Sequence, residues 1–320
     1  MSERKKILVC GATGFIGRNV AEQFSQRADF DVVGVHHHRP AYDYPNLRWV
    51  EADLTNAADV ARVVAGVDVI VQMAATTSGA KDIVARPFIH VTDNAVMNSL
   101  LMRAAFEHKV QHFLFPSCSI MYASQEAPHD ETSFNPIVGV DARYFGAGWT
   151  KIYLEQMCEF YSRLGATRFT AIRHSNIYGP HDKFDLERSH VFGATITKVM
   201  TAEDRIVVWG EGKEARDLLY IDDMVDLFAR VIDQQTTAYE LVCAGVGHAV
   251  AIRDLVQRIV TLSGRALAIE YDVTKPTIPT SLCLSHAKAK ALFGWEPQTS
   301  LDAGITATLN WWRQNIGFGR

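Results

Sequence analysis

The chain has 320 residues, enough to bury one large α/β domain or a domain with a subdomain. Its 48% hydrophobic and 21% charged residues are those of a soluble globular protein, and a formal net charge of −4 gives no reason to expect nucleic acid or a membrane surface as partner. No apolar run is long enough to span a bilayer, and five scattered cysteines (Cys10, Cys118, Cys158, Cys243, Cys283) without paired spacing point to a reduced, cytoplasmic protein with no zinc site.

Residues 6–17 read Lys-Ile-Leu-Val-Cys-Gly-Ala-Thr-Gly-Phe-Ile-Gly. The apolar run predicts a buried strand, and Phe15, Ile16, Val20 and Phe24 predict the helix after it. Gly11, Gly14 and Gly17 at intervals of three are the requirements of a strand–turn–helix that receives a pyrophosphate. The first permits the turn, the second lets phosphate approach bare backbone, and the third lets helix and strand pack closely. The helix start then offers free N–H groups, with Thr13, Phe15 and Ile16 around them. Phe30–Val35 reads as the second strand, and His36, His37, His38 and Arg39 follow it with no carboxylate. A basic residue at this point suits the 2′-phosphate of NADP, with Arg39 as its partner and His36 beside it. NAD stays possible, and so does a plain solvated loop.

Leu47–Val50 is a third strand, ending in Glu51-Ala-Asp-Leu54. Asp53 there either accepts from an adenine amino group or caps a helix starting near Thr55. Asp68–Val71 is the fourth strand and runs into Met73-Ala-Ala-Thr-Thr77, where Ala74, Ala75 and Thr76 are small enough to let a cofactor lie on backbone. A helical pattern covers 88–108, Phe113–Phe115 is the fifth strand and Phe169–Ile172 the sixth. Such alternation with continuous apolar strands predicts an α/β fold, a Rossmann-type doubly wound parallel sheet covered on both faces. Residues 1–174 form the dinucleotide-binding domain, with 222–250 returning to it. Asn176–Pro180 reads as a turn, helices recur at 222–234, 251–263 and 301–315, and 175–320 is mostly a smaller C-terminal substrate-binding lobe over the sheet edge.

These segments resemble the extended short-chain dehydrogenase/reductase superfamily of nucleotide-sugar epimerases, dehydratases and reductases, over essentially the whole chain. Gly11–Gly17 and Arg216-Asp-Leu-Leu-Tyr-Ile-Asp-Asp223 carry the superfamily likeness. Asn176–Phe184, Ser189-His-Val191 and Val208-Trp-Gly210 are similar to its GDP-L-fucose synthase branch. The resemblance implies a Tyr four residues before a Lys on one helix, with a Ser or Thr after the fifth strand. The lysine charge depresses the Tyr pKa, so the phenol exchanges a proton as hydride moves, and a spacing of four puts both on one helix face.

Lys151 fits that pattern, with Thr150 before it and Glu155 after it, but Ala147 stands where the Tyr belongs. Three readings are open. Another group serves, such as Tyr144, seven residues before Lys151, about 20° off the same face and roughly 10 Å along the axis; Gly146 and Gly148 would let the helix start distort. Alternatively Ala147 is a deliberate Tyr→Ala change, or the protein binds without this chemistry. Cys118 takes the Ser position, and a thiol is a weak donor, so Ser117 or Ser119 is the substitute. The branch's epimerisation Cys is Ile120 here, whereas its His matches His190.

For substrate the resemblance implies a nucleoside diphosphate sugar, with Arg216 on a phosphate and Lys183, Val191, Trp209 and Lys275 about the pocket. Arg216 paired with Asp217 or Asp222 is the bland alternative. A further family Arg is replaced near Thr280. His174, Asn176 and Ile177 are expected at nicotinamide and sugar, although the family usually has Pro where His174 stands. Trp311-Trp312 reads as packing. The superfamily also implies a homodimer through 92–108 and 148–163, with Met97, Leu100, Leu101, Ile152, Met157 and Phe160 either on that face or in the core.

Overall fold

The computed structural model describes residues 4–76, 86–186, 189–275, 277 and 280–317; the expected boundary residue Thr77 lies outside them. In chain order the first half runs β1 (Lys5–Cys10), α1 (Phe15–Ser25), β2 (Phe30–His36), β3 (Leu47–Glu51), α2 (Ala57–Val64), β4 (Val69–Gln72), α3 (Thr92–Glu107), β5 (His112–Pro116), α4 (Phe145–Ser162) and β6 (Arg168–His174). Then follow β7 (Asn176–Tyr178), α5 (Val191–Thr201), β8 (Arg205–Trp209), β9 (Ala215–Arg216), β10 (Leu218–Tyr220), α6 (Ile221–Gln234) and β11 (Tyr239–Ala244). The chain ends through β12 (Val250–Ala251), α7 (Ile252–Ser263), β13 (Ala268–Asp272), α8 (Ala287–Phe293) and α9 (Leu301–Asn315).

Seven strands form one parallel sheet in the order β11-β6-β5-β4-β1-β2-β3. The order reverses between β1 and β4, which opens a crevice at their carboxyl ends. Both faces are buried, so β1 has no polar alternation. Ile7 and Val9 join the core under α1 and α6, while Leu8 and Cys10 join the one under α2, α3 and α4. Each such aliphatic side chain contributes about 1.5–3 kcal/mol. The first core continues into Phe192, Ile196, Leu255 and Leu309, so the C-terminal elements share apolar contacts with the sheet.

Two local expectations need correction. Asn176–Tyr178 is not a turn but a short strand paired with β10, and the chain bends after it at Gly179, which has φ +146°. The 88–108 pattern divides into a 3₁₀ turn over Pro87–His90 and α3, because Val91 at φ −108° and ψ −70° interrupts the regular helix. Of the apolar residues assigned to either dimer face or core, Met97 and Leu101 are core, and Leu100, Ile152 and Met157 pack against core clusters. Phe160 is exposed, and so are Val96 and Tyr153 on the same two helices.

Candidate active site

The junction of β1 and α1 cannot be built with side chains at two glycines, one in the loop and one in the first turn of the helix. Gly11 has φ +68°, and a Cβ there would come 2.7 Å from the Ala74 backbone. At Gly17 a Cβ would lie 2.2 Å from the Gly11 carbonyl oxygen. Gly14 is the N-cap of α1 and lends no side chain to it, which leaves the N–H groups of Phe15, Ile16 and Gly17 for an anion. This cradle of backbone donors fits a dinucleotide pyrophosphate.

A cleft of about 620 Å³ begins at Thr13, Gly14 and Phe15 and is walled by Arg39 and Trp311. The Arg39 guanidinium donates to the Thr13 carbonyl at 3.5 Å, so its charge stands beside the loop. His36 ends β2 with Nδ1 buried and without a partner. Asp53 does not cap α2: Asn56 does, accepting from Ala58 and Asp59, because α2 begins at Ala57. Asp53 instead accepts from the N–H and hydroxyl of Thr55, which hold its carboxyl below the usual range. Leu54 is buried beside it, Ala74 faces Gly11, Ala75 is exposed and Thr76 exchanges backbone hydrogen bonds with the Asn94 amide.

At the carboxyl edge of β5 and β6 lies a buried polar framework. Glu155 accepts from Arg173 at 2.7 Å and from the Ser117 hydroxyl at 2.5 Å. Arg173 also donates to the Tyr122 hydroxyl at 2.7 Å, and the Tyr122 phenol to the Asp130 carbonyl. Both ions are about 95% buried or more, so each depends on the other for compensation. Ser117 is thereby committed to the framework. Cys118 and Ser119 remain half-exposed after it, and burial raises the Cys118 thiol. The Lys151 ammonium donates to the Pro116 carbonyl at 2.9 Å and lies 4.7 Å from the Phe115 ring centre. Burial pulls its pKa down, while the neighbouring Cys118 and Glu155 act the other way.

Ala147 is one turn before Lys151 on α4 and half-exposed, so the position faces the site without an acid or base. Tyr144 ends a 3₁₀ turn just before α4, and its phenol bears electrostatically on Arg216. The flanking glycines do not loosen the helix, which is regular from Phe145. They let neighbours approach: a Cβ on Gly146 would meet Val91 at 2.8 Å, and one on Gly148 would meet Val140 at 2.6 Å.

Residues 7–244 match the NAD dependent epimerase/dehydratase family. The chain belongs to that family. It is 28% identical to GDP-L-fucose synthase 1 of Arabidopsis thaliana, covering 99% of this chain and 96% of the relative. It is 26% identical to UDP-glucuronate 4-epimerase of Thermodesulfobacterium geofontis, covering 97% and 96%. Among solved structures it is similar to UDP-glucuronic acid 4-epimerase from Bacillus cereus, in complex with UDP-glucuronic acid and NAD, with a TM-score of 0.82 and 23% identity over 97% of this chain and 99% of that one. As a member of the epimerase/dehydratase family, the chain is an enzyme of an NAD(P)-dependent class.

In this epimerase/dehydratase chain the remaining expected residues scatter around the crevice. His174 ends β6, and Asn176 and Ile177 open β7, with the Asn176 amide donating to the Asp217 carbonyl. His190 is the exposed N-cap of α5, next to Val191. Lys183 lies in the loop that walls the cleft. Arg216 pairs with neither Asp217 nor Asp222. It donates to the Thr280 carbonyl and hydroxyl, both at 2.8 Å. Asp217 is instead buried and accepts from Val246 and Leu284, and Asp222 accepts from Gln23. Trp209 and Lys275 are exposed. The sequence reading passed over Lys198, whose ammonium lies 5.9 Å from the Trp209 ring centre and donates to the Val207 carbonyl. It also took both C-terminal tryptophans for packing. Trp312 is buried, but Trp311 stacks on Phe184 and lines the cleft. Among the described residues no helix is long and apolar enough to cross a membrane, and no group of three His, Cys, Asp or Glu side chains could hold a metal.

Proposed function

We propose that the chain is an NADP(H)-dependent reductase, or epimerase/reductase, of a 4-keto-6-deoxy nucleoside diphosphate sugar, with GDP as the nucleotide. The observation that carries this reading is the intact Lys151–Glu155–Arg173 arrangement at the carboxyl ends of β5 and β6, in a chain whose glycine loop opens onto a cleft at the carboxyl end of β1. A relative named GDP-L-fucose synthase supports the choice of sugar. A bound nicotinamide dinucleotide supplies hydride chemistry. The N–H groups of Phe15, Ile16 and Gly17 would hold its pyrophosphate, Arg39 its 2′-phosphate and Lys151 its ribose. Arg216 and Lys198 offer cations to the sugar diphosphate, with Trp209 beside Lys198.

Residues 1–174 with the returning strand β11 act as the nucleotide half and most of 175–320 as the sugar half. Ile120 cannot move a proton, which favours plain reduction over epimerisation. The relative named a UDP-sugar 4-epimerase favours 4-epimerisation as the second reading. We place the enzyme in the cytoplasm, on its five unpaired cysteines, and pair it as a homodimer over α3 and α4, on their exposed Val96, Tyr153 and Phe160. A monomer mass by light scattering would remove the dimer.

The test is dihydronicotinamide consumption with GDP-4-keto-6-deoxymannose, followed by the same assay with Arg39→Ser. Turnover that loses its preference for NADPH over NADH by about tenfold in the variant is the expected result. Failure of any sugar nucleotide to bind defeats the reading.

A further inference from the structure

Resting on that functional reading, one question stands out: which group moves the proton when position 147 offers none? At the carboxyl edge His174 offers an imidazole nitrogen held by the strand end, while His190, whose charge it feels, sits on the exposed N-cap of α5. His174 ends β6, beside the end of β5 where Lys151 is anchored. Pro116, whose carbonyl takes the Lys151 ammonium, is in register with Ile172. His174 is two residues further, about 6.6 Å along a strand about 4.8 Å away. Its Nδ1 is 2.8 Å from the Ser175 carbonyl, which can only accept, so Nδ1 carries the proton and Nε2 carries the lone pair. The fixed tautomer turns the ring into a base.

We propose that Nε2 of His174 is the proton acceptor and donor at the reacting sugar hydroxyl, the task that falls to a Tyr elsewhere in the family. On oxidation the sugar O–H bond breaks and an Nε2–H bond forms, while the hydride on the same carbon leaves for the nicotinamide. On reduction, the direction proposed for this chain, the neutral ring first takes a proton from solvent at Nε2, and that Nε2–H bond breaks to the carbonyl oxygen as hydride arrives.

Burial, then the charges of Lys151 and His190, lower the His174 pKa to about 4, so the ring is neutral and ready to accept near pH 7. Those two bear on it directly, Cys118 and Glu155 bear on Lys151 in turn, and Asp217 interacts with the neighbouring Ser175 side chain. The rivals are less suited. Tyr144 is engaged electrostatically with Arg216, and the Cys118 thiol is a weak donor that burial makes weaker.

The test combines nitrogen NMR of ¹⁵N-histidine-labelled protein with turnover. The resting wild type should show a neutral histidine with unprotonated Nε2, absent from His174→Gln and shifted by NADP⁺. His174→Gln should melt at the wild-type temperature while kcat drops at least about 100-fold, and adding Ala147→Tyr to it should recover turnover. A protonated Nε2 in the resting protein, or His174→Gln turning over at the wild-type rate, overturns the proposal. Turnover by Ala147→Tyr but not by the wild type also overturns it, while leaving the substrate reading intact. Should neither turn over any sugar nucleotide, the substrate reading fails and the nitrogen signal alone decides: an Nε2 resonance indifferent to NADP⁺ rejects His174, and one that shifts supports it.

Discussion

The glycine loop and the start of α4 are both places where a ligand would meet the chain, yet they are built on opposite terms. In the loop the functional atoms are backbone N–H groups, and the residues that present them are fixed by space: Gly11 against Ala74, Gly17 against Gly11. At α4 the functional atom would belong to a side chain standing clear of the packing. Beneath it the Ser117–Glu155–Arg173–Tyr122 framework is complete, because a missing member would strand a buried charge. Ala147 above it supports nothing. A scaffold residue is constrained by stability, whereas an exposed proton donor is constrained by catalysis alone, so the second can change without disturbing the first.

The sharpest way to break this contrast is at Gly17. Gly17→Ala drives a methyl to 2.2 Å from a backbone oxygen, and a loss of about 3 kcal/mol, the top of the usual range for overpacking, is expected in thermal unfolding, with NADPH binding abolished. Glu155→Gln should be almost as damaging. It uncompensates Arg173, and urea titration should show a loss of about 3–5 kcal/mol. A stable Glu155→Gln protein would mean that the framework is not what holds the edge.

A pH experiment sharpens the comparison on the cleft wall. Asp182 is buried with Oδ2 unpartnered, and burial pushes its carboxyl up to about 7. The folded state therefore keeps a proton that the unfolded chain releases near its ordinary value. Stability present at low pH should be lost as pH rises through this window, from about 4 to about 7. The stability of wild type, read from thermal melts, should fall between pH 5 and pH 8 relative to Asp182→Asn, by on the order of 3 kcal/mol. Parallel curves would place the carboxyl in solvent. The smallest effect belongs to Ala147→Tyr, expected to move stability by less than about 1 kcal/mol at its half-open position. A larger loss by the same urea titration would make Ala147 a packing residue after all.

How much of this was legible beforehand follows the same division. The glycine loop and the central strands could be read from the sequence, since period, spacing and burial are local properties. Strand ends moved by one or two residues, and the His174 position passed from a loop into β6. The parts that could not be read depend on distant segments. Arg216 was expected on a phosphate, with the aspartates beside it as the bland alternative, and only the fold brings Thr280 to it. The partnering of Arg173 with Glu155 joins a strand and a helix, and nothing in either segment names the other. Gly146 and Gly148 suggested a distorted helix; Val91 and Val140, neither on α4, supply their actual reason. Trp311 was misjudged because a tryptophan pair in a helix gives no sign that one faces a cleft.

The return of β11 to the sheet has a consequence for synthesis. Tyr239 pairs with Phe169 and Ala244 with His174, so the edge that carries His174 is closed by a strand made much later. As the chain leaves the ribosome, β6 waits with one row of backbone groups unpaired until β11 emerges. Such non-local parallel pairing slows folding. Chains released before residue 239 would offer an apolar parallel edge to one another, and aggregation of nascent fragments is the hazard that this topology carries.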